Sequence, residues 1–213
     1  LEGDDADLTA LPAHLQHDLD GAPYISATID FSVDRTTGHT NIGMRRLMLR
    51  GRRQAGVDMQ APSDFKIIYG ASHAENATMP VAFVVGSHPA DAIAAVSMAP
   101  AQDDFGLIGG LRGAPVPKVK CITNDLDVPA DAEMVLEGYL HAEGWTEPEG
   151  PFGEYVGYYG KLKQNPVFHL TAITHRENML FQTATIGGRY MENTDTAQVC
   201  TLRTEATAWA ALQ

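Results

Sequence analysis

The feature that most constrains the fold is a change of hydrophobic period at Gly86. Residues 81–85 (VAFVV) form an unbroken apolar run with the composition of a buried strand, and the alanine-rich ADAIAAV that follows has the composition of a helix. Between them Gly86 ends the strand, Ser87 or His88 is placed to cap the helix, and Pro89 suits its first position. A strand feeding directly into a helix points to a mixed α+β domain.

Residues 23–31 (PYISATIDF) have β-branched strand content, and DRTTGHTN after them is dense in turn formers. Residues 46–50 alternate polar and apolar side chains as a half-buried strand does, and residues 56–60 are strand-like. Residues 61–76 read as a helix opened by Pro62, Ser63 and Asp64. Residues 119–122, 133–140, 166–176 and 180–187 supply further strand-like segments. At the ends, Leu8, Leu11, Leu15 and Leu19 predict a short amphipathic helix in an acidic lead, and Val199, Leu202, Ala206, Trp209 and Ala210 an incomplete apolar stripe on a helix over 194–212. The total is about seven or eight strands and about four helices, an α+β domain with a largely antiparallel sheet.

Charge narrows the partners. Asp and Glu number 27 against 15 Lys and Arg, a formal charge of -12, and no basic block stands out, which disfavours nucleic acid or an anionic membrane. No apolar run has membrane-spanning length, and the acidic first twenty residues, with His14 and His17, are unlike a signal peptide. Two cysteines, Cys121 and Cys200, in regular segments suit a reducing cytoplasm, and Cys121 reads as a small buried hydrophobe. The glycine-rich GLIGGLRGAP lacks both the GxGxxG order and a terminal Gly-Lys-Ser/Thr, so it supports neither a dinucleotide fold nor a triphosphate loop.

The chemistry concentrates in residues 132–160, AEMVLEGYLHAEGWTEPEGPFGEYVGYYG. Glu149 and Glu154 flank Pro151 and two glycines on a shaped loop, where unequal environments can leave one carboxylate ionised while the other exchanges a proton. The plainer alternative is two solvated loop residues. Arg46, in NIGMRRLMLRGRR, either clamps a carboxylate or phosphate with two parallel hydrogen bonds or is a solvated strand residue, and Arg45 and Arg50 read as surface side chains. Ser63 or Asp64 caps a helix whose N-terminus would also suit an anion. His169 reads as strand-face packing, and His175 with Arg176 as a pair on the rim of a site.

PEGPFGEYVGYY, with KCITNDLDVPADAEMVLEGYL and TTGHTNIGMRR before it, resembles the UbiD family of reversible decarboxylases, and the likeness runs from Pro23 to about Gly187. The resemblance implies a flavin-reductase-like split β-barrel with flanking helices, prenylated FMN as cofactor, and a Glu-Arg-Glu arrangement at Arg46, Glu149 and Glu154. It makes residues 41–46 (Asn41, Ile42, Gly43, Met44, Arg45, Arg46) a cofactor-binding segment, joined by Ser63, Asp64, Ser97, Met98 and Asp104. Asn41, Asp64 and Asp104 would ligate manganese or magnesium, Asp64 standing where relatives carry histidine and Asp104 where they carry glutamate, and potassium is a further cation that the family admits. The implied organisation is an acidic lead over 1–20, a flavin-binding barrel over 21–190, and a helix over 191–213 leading to a carboxy-terminal domain through which the enzyme would form a homo-oligomer. The implied reaction is non-oxidative decarboxylation of an aromatic, heteroaromatic or α,β-unsaturated carboxylic acid through a covalent prenylated-flavin adduct, in the cytoplasm. The alternatives are a flavin-dependent oxidoreductase and a non-catalytic subunit of a larger flavoprotein assembly.

Overall fold

The computed structural model describes residues 1–97 and 103–213. Its strands are β1 (Tyr24–Val33), β2 (Thr40–Gly51), β3 (Gln54–Val57), β4 (Met79–Val85), β5 (Lys118–Lys120), β6 (Asp127–Pro129), β7 (Met134–Leu140), β8 (Glu147–Glu149), β9 (Lys163–Asn165) and β10 (Val167–His175). The helices are α1 (Asp64–Ala74), α2 (Pro89–Val96), α3 (Asp104–Arg112) and α4 (Asp195–Ala211). Six strands close into a barrel in the order β1-β2-β3-β10-β7-β4, and every pairing in it is antiparallel. The α+β class and the antiparallel barrel with flanking helices are therefore what the chain forms.

The unbroken apolar run before Gly86 has a simple cause. Alternate residues of a strand point to opposite faces, and in β4 both faces are covered. Val81, Phe83 and Val85 join one core cluster, with Leu47, Phe65, Tyr69, Leu136 and Phe168. Ala82 and Val84 join a second, with Ile29, Phe31, Phe105 and Ile108, against α3 and the β5–β6 ribbon. At the strand-to-helix switch His88 takes the cap, its Nδ1 accepting the Ala90 N–H at 3.1 Å ahead of Pro89.

Two expectations fail for local reasons. The lead over 1–20 is not an amphipathic helix but two short 3-10 turns followed by irregular chain that turns at residues 17–20. Pro12 interrupts the helical hydrogen-bonding pattern, and the segment bonds to the barrel instead, through bridges Glu2 to Ala172 and His14 to Tyr24. Only Leu8 of the four leucines is buried, while Leu15 and Leu19 stay exposed. Residues 180–187 form no strand, because closure of the barrel leaves them no edge; they bond to Ser26, whose Oγ accepts the Ala184 N–H at 3.0 Å and donates to the Ala184 carbonyl at 3.1 Å. That contact sits where β1 and β2 shift register, between Ile25 and Thr28.

Conversely, the glycine-rich run is helical as α3. Its glycines lower helix propensity, but Asp103 caps the start by accepting the Phe105 N–H at 3.0 Å, and Gly113 ends it in the left-handed region at φ 69°. Phe105 and Ile108 tie it to the core. Arg112 in its last turn reaches the buried Asp91 of α2 and Asp131. The terminal helix α4 starts on a Thr194 cap and buries no side chain; Leu202 and Trp209 of its stripe are exposed. Among the described residues no helix is long and apolar enough to cross a membrane.

Candidate active site

Arg46 lies on β2, and Glu149 is the last residue of β8, whose partner in register across the hairpin is Lys163 of β9. The Arg46 guanidinium meets Glu149 side-on, Nε to Oε1 at 3.0 Å and Nη2 to Oε2 at 3.3 Å. Such a two-bond fork fixes both planes as well as the distance. Nη2 also reaches Asp58 Oδ2 at 2.9 Å, and Nη1 faces Glu154 Oε1 at 3.4 Å. Phe152, between the two glutamates in sequence, lies under the guanidinium with its ring centre 4.4 Å from Cζ.

Glu149 is 1 % exposed, and Glu154 keeps partial access to solvent. Burial alone would lower the Arg46 pKa, but the hydrogen bonds and charge of Glu149, with Asp58 and Glu154 behind it, outweigh burial and raise it, so the guanidinium stays charged. Asn165 of β9 donates to Glu149 Oε2 at 3.4 Å and to Asp58 Oδ1 at 3.3 Å. Lys163 Nζ stands 3.4 Å from Glu154 Oε1 and 3.5 Å from Asp58 Oδ2. Tyr24 packs on Phe152 at 4.5 Å; burial first, then the Glu149 charge, push its phenol pKa up, and it is neutral here.

The loop carrying these groups is strapped from outside. Asp20 Oδ1 accepts the Gly153 N–H at 2.9 Å, and Gly21 N–H donates to the Pro151 carbonyl at 2.8 Å. A Cβ at Gly21 would lie 2.2 Å from the Gly150 carbonyl oxygen, so only glycine admits this approach.

The other expected residues lie around the start of β2. Asp104, in the first turn of α3, accepts the Ile42 N–H on Oδ2 at 2.9 Å, and Asp103 accepts the Thr40 N–H at 3.1 Å. Asn41 Nδ2 donates to Asp30 Oδ2 at 3.4 Å. Arg45 is not the surface side chain expected: it is 15 % exposed, pairs with Asp30 Oδ1 at 3.1 Å, and reaches the Ser63 hydroxyl at 3.4 Å. Its side chain also lies over Phe65, and Gly43 leaves the backbone bare beside Asp30. Ser63 is the cap of α1, accepting the Lys66 N–H at 3.3 Å, with Asp64 the first helical residue. Burial raises the Asp104 pKa against the pull of the Ile42 N–H, and the Asp103 and Asp64 charges raise it further. Asp30 is completely buried and is pushed up to about 7, chiefly by burial, with Arg45 opposing and Asp104 adding.

Asn41, Asp64 and Asp104 offer only hard oxygen donors, the set a magnesium- or manganese-type cation takes. Among the described residues no three His, Cys, Asp or Glu side chains converge as a ready metal cage, so a cation here would need the Asn41 amide and ligand oxygens to complete its shell. The donor chemistry fits such an ion. Ser97 ends α2 with its hydroxyl bonded back to the Ile93 carbonyl at 2.6 Å, and Met98 lies outside the described residues. Arg176 meets Glu133 at 3.6 Å rather than any of these groups, which removes the His175-Arg176 rim pair.

Sequence reasoning missed Asp58, Lys163, Asn165 and Asp30. Lys163 and Asn165 are two apart on β9 and so face the same way, the one sequence signal for them, in a strand too short to read. Asp30 was visible as a carboxylate inside the apolar run of β1.

Residues 1–190 match the family described as the 3-octaprenyl-4-hydroxybenzoate carboxy-lyase Rift-related domain, UbiD. Among solved structures, the UbiD-class enzyme HmfF from Pelotomaculum thermopropionicum in complex with FMN is 34% identical over 85% of this chain and 41% of its own, at TM-score 0.82. Vanillic acid decarboxylase from Sedimentibacter hydroxybenzoicus is 29% identical over 90% of this chain and 42% of its own, at 0.84. The 3,4-dihydroxybenzoic acid decarboxylase AroY of Klebsiella pneumoniae is 27% identical over 98% and 44%, also at 0.84. The chain thus spans about two-fifths of the length of these relatives. With its barrel superimposing on theirs and nearly all of its length matched to that domain, the chain belongs to the UbiD family.

Proposed function

We propose that this domain is the flavin-binding part of a UbiD-class decarboxylase, acting without net oxidation on an aromatic, heteroaromatic or α,β-unsaturated carboxylic acid. One observation carries the reading: Arg46 is gripped along its Nε and Nη2 side by Glu149 and Asp58, which leaves the Nη1 side, with Glu154 beside it, for a substrate carboxylate. An arginine held in this way is oriented before substrate arrives, so little ordering is needed on binding. HmfF has been seen with both FMN and prFMN, and two relatives are named for aromatic acids, which supports carrying cofactor and substrate class to this chain.

Asn41, Asp64 and Asp104 would hold a divalent ion at the cofactor phosphate, with residues 42–45, Ser63 and Ser97 around it. Bound prenylated FMN would supply an electron-accepting ring for the charge left when carbon dioxide departs. The protein then has three tasks. Arg46 orients the substrate carboxylate, Glu149 holds Arg46, and Glu154 delivers the proton that replaces carbon dioxide. Phe152 and the aromatic ring of Tyr24 keep the buried side of the cluster dry, which disfavours a charged carboxylate over neutral carbon dioxide.

The test uses the full-length protein loaded with prenylated FMN, assayed on vanillic, pyrrole-2-carboxylic and cinnamic acids as members of the three classes. Absorption spectra and intact mass distinguish prenylated flavin, ordinary flavin and none. Glu154→Gln keeps size and hydrogen bonding but cannot cycle a proton, so turnover and hydrogen-deuterium exchange at the product carbon should fall on the order of 10²–10⁴-fold with flavin still bound. Loss in Glu149→Gln with none in Glu154→Gln would reverse the two roles. Full activity in both variants would end the decarboxylase reading.

A further inference from the structure

We propose that Lys163 is a positioning residue for Glu154, keeping that carboxylate beside the reaction site when a substrate carboxylate takes its place on Arg46. The inference rests on the decarboxylase reading for its consequence, but its contacts stand independently. Glu154 Oε1 lies 3.4 Å from Arg46 Nη1 and 3.4 Å from Lys163 Nζ, so two cations share one oxygen. Arg46 has its other donors committed to Glu149 and Asp58, and a substrate carboxylate can engage it only on the Nη1 side. The incoming anion and Glu154 therefore compete for the same edge, and like charges on it repel. Without a second cation Glu154 would be pushed toward solvent, to which its side chain is already 27 % exposed.

Lys163 is built into the place where it can retain Glu154. It stands opposite Glu149 in the β8–β9 register, and Asn165, on the same face of β9, bonds to both Glu149 and Asp58. Asp58 Oδ2 also lies 3.5 Å from Nζ, so the ammonium has a second carboxylate partner within the cluster. An ammonium on a flexible stem can follow a moving carboxylate where the fork of Arg46 cannot. The two cations thus divide the work: Arg46 is fixed for substrate, and Lys163 is mobile for the acid.

Two measurements on the full-length, flavin-loaded protein test this. A double-mutant cycle of Lys163→Met and Glu154→Gln, read by denaturant unfolding, reports their contact without any turnover. A coupling factor of about twofold or more in the unfolding constant is expected for a partly buried pair. A factor of one overturns the inference whether or not decarboxylation is found. The second measurement is the pH profile of kcat on whichever of the three acids the parent decarboxylates. Lys163→Met should lower kcat about tenfold to a hundredfold and move the profile to higher pH, with KM little changed, and Lys163→Arg should restore both. An unchanged profile in Lys163→Met, beside a dead Glu154→Gln, overturns the inference and leaves the decarboxylase reading intact. A parent that decarboxylates none of the three acids counts against that reading, and the positioning role falls with it while the contact is still decided by the cycle.

Discussion

The start and the middle of β2 carry the two candidate groups, and they are finished to different degrees. Around Arg46, opposite charges interlock within the protein: three carboxylates and a lysine surround the guanidinium, and the most buried carboxylate, Glu149, is bonded twice to it. Around Asn41 the carboxylates of Asp30, Asp64 and Asp104 have one arginine among them, and burial has pushed Asp30 up to about 7 and raised Asp104. The first group is complete as folded. The second carries an excess of negative charge that a cation would relieve, and reading a ligand site from that imbalance is a physical argument that the first group does not allow.

Breaking the finished group should cost most. Arg46→Met strands the buried Glu149 charge and should destabilise the domain by about 3–5 kcal/mol in denaturant unfolding, the usual result of removing one partner of a buried pair. A loss under about 1 kcal/mol would place the pair in the class of exposed ion pairs instead. Asp30 sharpens the contrast through pH. Its folded value of about 7 lies above the ordinary 3.8, so the native protein keeps this proton longer than the unfolded chain does. Its contribution therefore falls as pH rises from about 4 to about 7, by about 2–4 kcal/mol, and is flat above. Metal-free protein should show this decline, Asp30→Asn should remove it, and manganese or magnesium should shrink it. A parent and variant with parallel pH curves would mean that Arg45 already neutralises Asp30.

What could be read beforehand follows from which forces leave a pattern in sequence. The strand over 81–85 and those that became β7 and β10 were legible because burial imposes apolar residues, and the cap and proline at His88-Pro89 were legible because backbone donors impose them. The α3 helix was not, since its glycines argue against a helix that capping and the packing of Phe105 and Ile108 sustain. Arg46, Glu149 and Glu154 came from a motif and a resemblance, and the fold does bring them into contact. Asp58 and Lys163 reach the same cluster from chain positions with no periodicity, and only tertiary pairing reveals them.

In the unfinished group, Asp104→Asn keeps an acceptor for the Ile42 N–H, so the fold should survive while one ligand charge is lost. Manganese affinity by titration calorimetry should fall about tenfold or more, and flavin retention should fall with it. Unchanged metal content by elemental analysis would leave Asp104 as a capping-turn residue and would make the two groups on β2 alike in needing no cation.

The smallest effect separates two jobs of Ser63. Its hydroxyl caps α1 by accepting the Lys66 N–H and also receives an Arg45 donor, so it belongs both to the helix and to the unfinished cluster. Ser63→Ala removes both contacts and should cost about 1 kcal/mol, the usual value of a helix cap. Ser63→Asp restores the cap and gives Arg45 a second carboxylate, so stability should return to the parent level. Arg45 would then be drawn further into pairing within the protein, and the added negative charge would sit where the cofactor phosphate is proposed to bind. Ser63→Asp should therefore recover stability in thermal unfolding yet retain less flavin than Ser63→Ala. Equal flavin retention in the two variants would confine Ser63 to its capping role and remove it from the cofactor site.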